Sequence, residues 1–191
     1  MRFLRKISQM FLLTFVLCMF GACSLFYNEM AYVGGFRVGY STIINKAFIC
    51  EYNWNGEDQA IIIPDLYEGK DITALGGYMG RGFPCPFSIN VTDYLGITPE
   101  RGCAYKDLSV IVGENVVERY YDFELYIGAN VKSIYADDTV SVVQEENQTV
   151  AYVCRVKVFC DEKNETFYSS NGILYYAENY MRVEGLIYFE D

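Results

Sequence analysis

The chain has 191 residues, enough for one domain with a short extension, and its 52% apolar content can build a core. A net charge of −10 disfavours nucleic acid and anionic membrane surfaces as partners, because both bind through a positive field. Histidine is absent, which excludes Ser–His and Cys–His catalysis, histidine metal sites and histidine pH switching. Charged residues, at 21%, are too few for a disordered chain, and 18 tyrosines suit half-buried pleated surfaces. The composition therefore predicts a β-rich fold; a bolder reading of the tyrosines is a set of aromatic platforms for sugars or peptides.

Met1-Arg2-Phe3-Leu4-Arg5-Lys6 is a positively charged start, followed by an apolar run from Met10 to Phe20. The run is shorter than the about 20 residues a bilayer span needs and matches the apolar region of a secretory signal. It ends in Phe20-Gly21-Ala22-Cys23. Small residues before a cysteine resemble the lipobox of bacterial lipoproteins, with Phe20 where a leucine-like residue is usual. That resemblance implies cleavage before Cys23 and its acylation. Residues 1–22 are then a signal peptide, 23–35 a lipidated N-terminus and tether, and the protein an extracytoplasmic, membrane-anchored lipoprotein. Ordinary secretion after Ala22 is the alternative. Loss of Arg2, Arg5 and Lys6 takes the net charge from −10 to −13.

Val38 to Tyr52 reads as strand, and Asn55-Gly56 is the pair best suited to a tight turn because both positions tolerate positive φ. A hairpin over residues 47–63 is expected, ending in Ile61-Ile62-Ile63-Pro64. Residues 76–106 concentrate glycine and three of the four prolines, Pro84, Pro86 and Pro99, which predicts an irregular loop. Short pieces such as Ser88 to Val91 are expected inside it. Val110-Ile111-Val112-Gly113 and Leu125-Tyr126-Ile127-Gly128 are apolar runs that predict two more strands.

Val140 to Val143 and Thr149 to Cys160 flank a polar stretch and predict a hairpin. In its second arm Val150, Tyr152, Cys154, Val156, Val158 and Cys160 share one face, and Arg155 and Lys157 the other. Asn171-Gly172 marks a further tight turn, and Leu186 to Phe189 reads as a last strand.

The unit Ile61-Ile62-Ile63-Pro64 through Gly76, with Ile127-Gly128-Ala129-Asn130-Val131-Lys132-Ser133-Ile134, resembles the BspA-like leucine-rich repeat family of bacterial surface proteins. The segment Asp161-Glu162-Lys163-Asn164 with Tyr168 to Tyr175 resembles one that often follows such repeats. The resemblance implies a mainly β fold, a short leucine-rich-repeat-like β-solenoid with flanking hairpins over residues 36–191. It also implies adhesion or interaction rather than catalysis. Weaker echoes of the unit, at Val110 through Tyr120 and at Leu125 through Ile134, are more closely spaced than is usual in that family, and a divergent β-sandwich is the structural alternative.

In such a ladder strand residues alternate between core and outer face. Leu125 and Ile127 form the natural core pair, so Tyr126 points outward, and Ile62 and Ile111 occupy the equivalent places. These three are the predicted binding row for an unknown protein or glycan, unless the 76–106 loop covers them. Cys85 and Cys103 bracket that loop and could staple it, whereas Cys154 and Cys160 on one strand lie about 20 Å apart, beyond disulfide reach. No phosphate loop, Cys-x-x-Cys pair or calcium-loop pattern occurs, so neither cofactor nor metal is expected. The rival function is a secreted carbohydrate-active or hydrolytic domain using carboxylates across a cleft.

Overall fold

The computed structural model describes residues 29–41, 45–79, 83–113, 115–145 and 148–189. The predicted signal segment, Cys23, and Ile43 and Ile44, which the sequence reading puts in a strand, lie outside the described residues. With 57% strand against 8% helix, the molecule is mainly β, and its sheet curls into a half-barrel rather than forming a regular solenoid.

The first sheet contains β1 (Glu29–Val33), β2 (Phe36–Tyr40), β3 (Lys46–Asn53) and β6 (Lys70–Leu75), with β12 (Ser133–Ile134) at its far edge. The short β5 (Leu66–Tyr67) joins β6, and β9 (Ser88–Asn90) joins β3. The second sheet runs in the order β10 (Arg101–Ala104), β13 (Thr139–Glu145), β14 (Gln148–Cys160), β11 (Val117–Ile127) and β4 (Ala60–Ile62). Two small hairpins, β7 (Gly77–Met79) with β8 (Phe83–Cys85) and β15 (Phe167–Ser170) with β16 (Ile173–Tyr176), complete the strands.

One core joins the two main sheets. Val38, Ile49, Ile72 and Leu75 of the first pack in the same cluster as Ile61, Leu125, Val156 and Val158 of the second. Period-two alternation aims these residues inward, and each fully buried aliphatic side chain contributes about 1.5–3 kcal/mol by leaving water. Twice the chain leaves the second sheet and enters the first, from β4 to β6 and from β11 to β12. The strands stack in parallel on both sides, β4 on β11 and β6 on β12. Asn164 ties the second crossing to the segment after β14. Its buried amide donates to the Gly128 and Val131 carbonyls at 2.9 and 3.0 Å, and its Oδ1 accepts the Thr166 and Phe167 N–H groups at 2.9 Å each.

The β13–β14 hairpin forms as predicted. Val150, Tyr152, Val156 and Val158 are buried, as the alternation requires. The other face is not simply solvated. Ala151 and Val153 enter a second cluster with Cys103, Leu108, Val140 and Val142, because a helix covers that side. Arg155 is half-buried and paired: its guanidinium grips Asp122 at 2.7 and 2.8 Å and lies 4.1 Å from the Tyr120 ring centroid. The Asn171-Gly172 turn is also as predicted, with φ of 52° and 78° supplying the two positive values of a primed hairpin turn.

Four expectations are corrected. β3 and β4 do not form a hairpin; they lie in different sheets, and the Asn55 side chain folds back on the Glu57 and Asp58 N–H groups to carry the chain across. Residues 76–106 hold more than the expected short piece at Ser88, which is β9: the described part of the segment also contains β7, β8, β10 and the short helix α1 (Thr92–Leu95), so it is not one irregular loop. Val110 to Val112 is not a strand: it ends helix α2 (Leu108–Val112), which follows a 3-10 turn at Tyr105–Asp107. Leu186 to Phe189 makes a single bridge, in which the Val156 N–H donates to the Ile187 carbonyl at 2.7 Å and Val156 accepts from the Phe189 N–H at 3.3 Å. On one side of this bridge β13 takes the edge of β14 up to Tyr152, and on the other the Val158 N–H donates to the Gly172 carbonyl at 2.7 Å, so the tail finds only a short stretch of edge.

Candidate functional site

The parallel strands β4, β11 and β14 end side by side, and their pairing decides what lies across them. Ile62 is opposite Tyr126, and Tyr126 is opposite Phe159. Their neighbours Ile61, Leu125 and Val158 are fully buried, so alternation turns Ile62, Tyr126 and Phe159 to the outer face. Ile62 is 66% exposed, and Tyr126 and Phe159 are each 36% exposed. The two rings stack with centroids 4.9 Å apart and planes 17° from parallel. The result is a continuous apolar ridge across three strands.

The ridge borders a groove of about 310 Å³, with the carboxylates of Asp65 and Asp161 on its rim. Gly128 allows this geometry, since a Cβ there would come within 2.5 Å of Asp65 Oδ1. Asp161 is held by its backbone, donating to the Ile127 carbonyl at 2.9 Å, while its Oδ1 accepts the Lys163 N–H at 2.8 Å. On the ridge, the Tyr126 hydroxyl donates to Glu124 at 2.7 Å, and this bond raises the phenol above its ordinary pKa. The site thus offers an apolar surface flanked by hydrogen-bond acceptors of negative charge. That chemistry suits a ligand with an apolar face and hydroxyl or amine donors.

Two of the three predicted row residues, Ile62 and Tyr126, are brought together. Ile111 is not: it lies on α2, away from the ladder, because the three-residue apolar run around it continues a helix. Phe159 takes the third place. The alternation of residues 150–160 already puts Phe159 on the outer face, but which strand lies beside it is not written in that pattern. Among the described residues of the 76–106 segment, none lines the groove.

The Cys85–Cys103 staple is also corrected. Cys103 packs with Leu108 and Val140, whereas Cys85 packs in a separate cluster with Phe48 and Cys50, and both thiols are free. A larger open groove of about 1030 Å³ runs between Ile134 and Leu186, but its Lys106, Arg182, Asp138 and Glu184 mix both signs of charge and it holds none of the predicted residues. Among the described residues, no group of three metal-ligating side chains gathers, and no helix is long and apolar enough to cross a membrane. Comparison with known protein families, with curated proteins and with solved structures finds no match.

Proposed function

We propose that this protein is a cell-surface-anchored, non-enzymatic interaction protein that presents the Ile62–Tyr126–Phe159 ridge to a protein or glycan. The observation that carries the proposal is the in-register exposure of those three side chains, since soluble monomers seldom leave a contiguous apolar surface without a use. The parallel pairing at the two sheet-to-sheet crossings supports a short, irregular repeat ladder of the BspA-like leucine-rich repeat kind within the curled sheet. The Phe20-Gly21-Ala22-Cys23 sequence supports anchoring through a lipid on Cys23. Because Tyr126 and Phe159 stack on each other, one face of each ring is already occupied, which suits an apolar side chain of a protein better than a flat sugar face.

The test is a pull-down and a glycan array with the wild-type protein and with Ile62→Asp and Tyr126→Asp. Both variants are expected to lose the captured partner while keeping the wild-type melting temperature. Retained binding would overturn the proposal, and a lowered melting temperature would mean that the chain itself packs on the ridge.

A carboxylate-using hydrolase is the second reading, supported by Asp65 and Asp161 bordering one groove. Both residues are exposed, whereas a glycosidase acid is a carboxyl sheltered from water. Turnover of a glycan that Asp161→Asn abolishes would establish it.

A further inference from the structure

β3 presents different residues to its two sides. Ala47 and Ile49 enter the core shared by the sheets, while Phe48 and Cys50 face a small separate cluster. The β7–β8 hairpin lies over that second side. A Cβ on Gly77 would come within 3.1 Å of the Phe48 ring, and Gly77 is the register partner of Cys85. The hairpin therefore packs Cys85 against the cluster of Phe48, Cys50 and Ala74, beside Met30 and Met79. The Cys50 thiol also donates to the Arg37 carbonyl at 3.5 Å, which keeps it in place on the strand.

We infer that Cys50 and Cys85 are an oxidisable dithiol, closed to an intramolecular disulfide by exchange with a disulfide-bearing oxidant. Their exposure assigns the order of events: Cys50 is 2% exposed, while Cys85 is partly open to solvent. Cys85 gives its proton to water, and its thiolate attacks one sulfur of the oxidant. That S–S bond breaks, and the departing sulfur takes the electron pair and a proton. The Cys50 thiolate, having lost its own proton to water, then attacks the Cys85 sulfur of the mixed disulfide. The Cys50–Cys85 bond forms and the second oxidant sulfur leaves, again taking up a proton. Two protein thiols are oxidised and one disulfide is reduced to two thiols. Burial pushes the Cys50 thiol well above its ordinary pKa, so the second step is the slow one and quickens as pH rises.

The remaining described cysteines lack such a neighbour. Cys103 sits in another cluster, Cys154 lines a separate small cavity, and the Cys160 thiol donates to the Phe167 carbonyl at 3.5 Å. The dithiol is independent of whether Cys23 carries a lipid and of what the ridge binds.

The experiment treats the reduced full-length protein with glutathione disulfide and maps peptides without reduction. A Cys50–Cys85 linkage is expected, with a melting temperature raised by roughly 5–15 °C, as expected for a cross-link closing a loop of this length in a chain of this size. Dithiothreitol should reverse both changes. Cys103→Ser should leave the linkage intact and Cys85→Ser should abolish it. The inference is overturned if both thiols remain alkylatable after oxidation, if Cys85 is found joined to Cys103, or if glutathione stays on Cys85 unresolved. Peptide mapping of the wild-type chain decides among these outcomes whether or not the variants fold.

Discussion

Val110-Ile111-Val112-Gly113 and Leu125-Tyr126-Ile127-Gly128 share a pattern, three apolar residues closed by glycine, yet one is the end of a surface helix and the other a core strand. In the first, Leu108 is buried in the second cluster and Val112 packs beside it, the i and i+4 pair of a helix face. Val110 and Ile111 are left outside, the former 86% exposed. In the second, β4 and β14 flank the strand on both edges, and a period of two buries Leu125 and Ile127. The glycines differ as well. Gly113 ends the helix at φ 104°, a conformation that L side chains rarely adopt, whereas Gly128 makes room for the Asp65 carboxylate. A three-residue apolar run is too short to display a period, so its neighbours decide what it becomes.

The largest test of this contrast is truncation of one residue from each run. Leu125→Ala should cost about 2–5 kcal/mol through lost burial and the cavity left behind. Ile111→Ala, on an exposed helix, should stay within about 0.5 kcal/mol. Urea unfolding measures both, and equal losses would break the comparison.

Next in size is Asn164→Ala, which should cost about 1–3 kcal/mol by leaving the Gly128 and Val131 carbonyls and the Thr166 and Phe167 N–H groups without their partner. Asn130→Ala, on the same crossing but exposed, should be close to neutral. A similar effect of the two would remove Asn164 as the tie between β11 and the segment after β14.

The smallest effect lies at the opposite end of the ladder. The Tyr152 hydroxyl donates to Glu145 at 2.7 Å, and Arg119 pairs with the same carboxylate at 2.8 Å; together they hold it below the usual glutamate range. The folded-state pKa is thus lower than the unfolded value of about 4.3, so the stabilisation is present above that pH and is lost as pH falls through the lower value. Glu145→Gln should flatten the dependence of the unfolding midpoint on pH between about pH 3 and 5. An acid limb unchanged in the variant would show that the contact adds nothing at this exposed site.

Near neighbours and periodicity make part of this fold legible in the chain alone. The mainly β character, the β13–β14 hairpin, the Asn171-Gly172 turn and the outward direction of Ile62 and Tyr126 all follow from alternation or from residues that tolerate positive φ. Contacts between distant segments are visible only in the folded molecule, where the assembly of the two sheets fixes them. That assembly separated β3 from β4 into two sheets, and it placed Phe159 beside Tyr126 where Ile111 was expected. It also set Cys85 against Cys50 instead of Cys103. The physical reason is that a strand's own pattern specifies which side chains face the core but not which strand lies at its edge. That choice comes from packing across the whole core, to which segments from most of the described chain contribute.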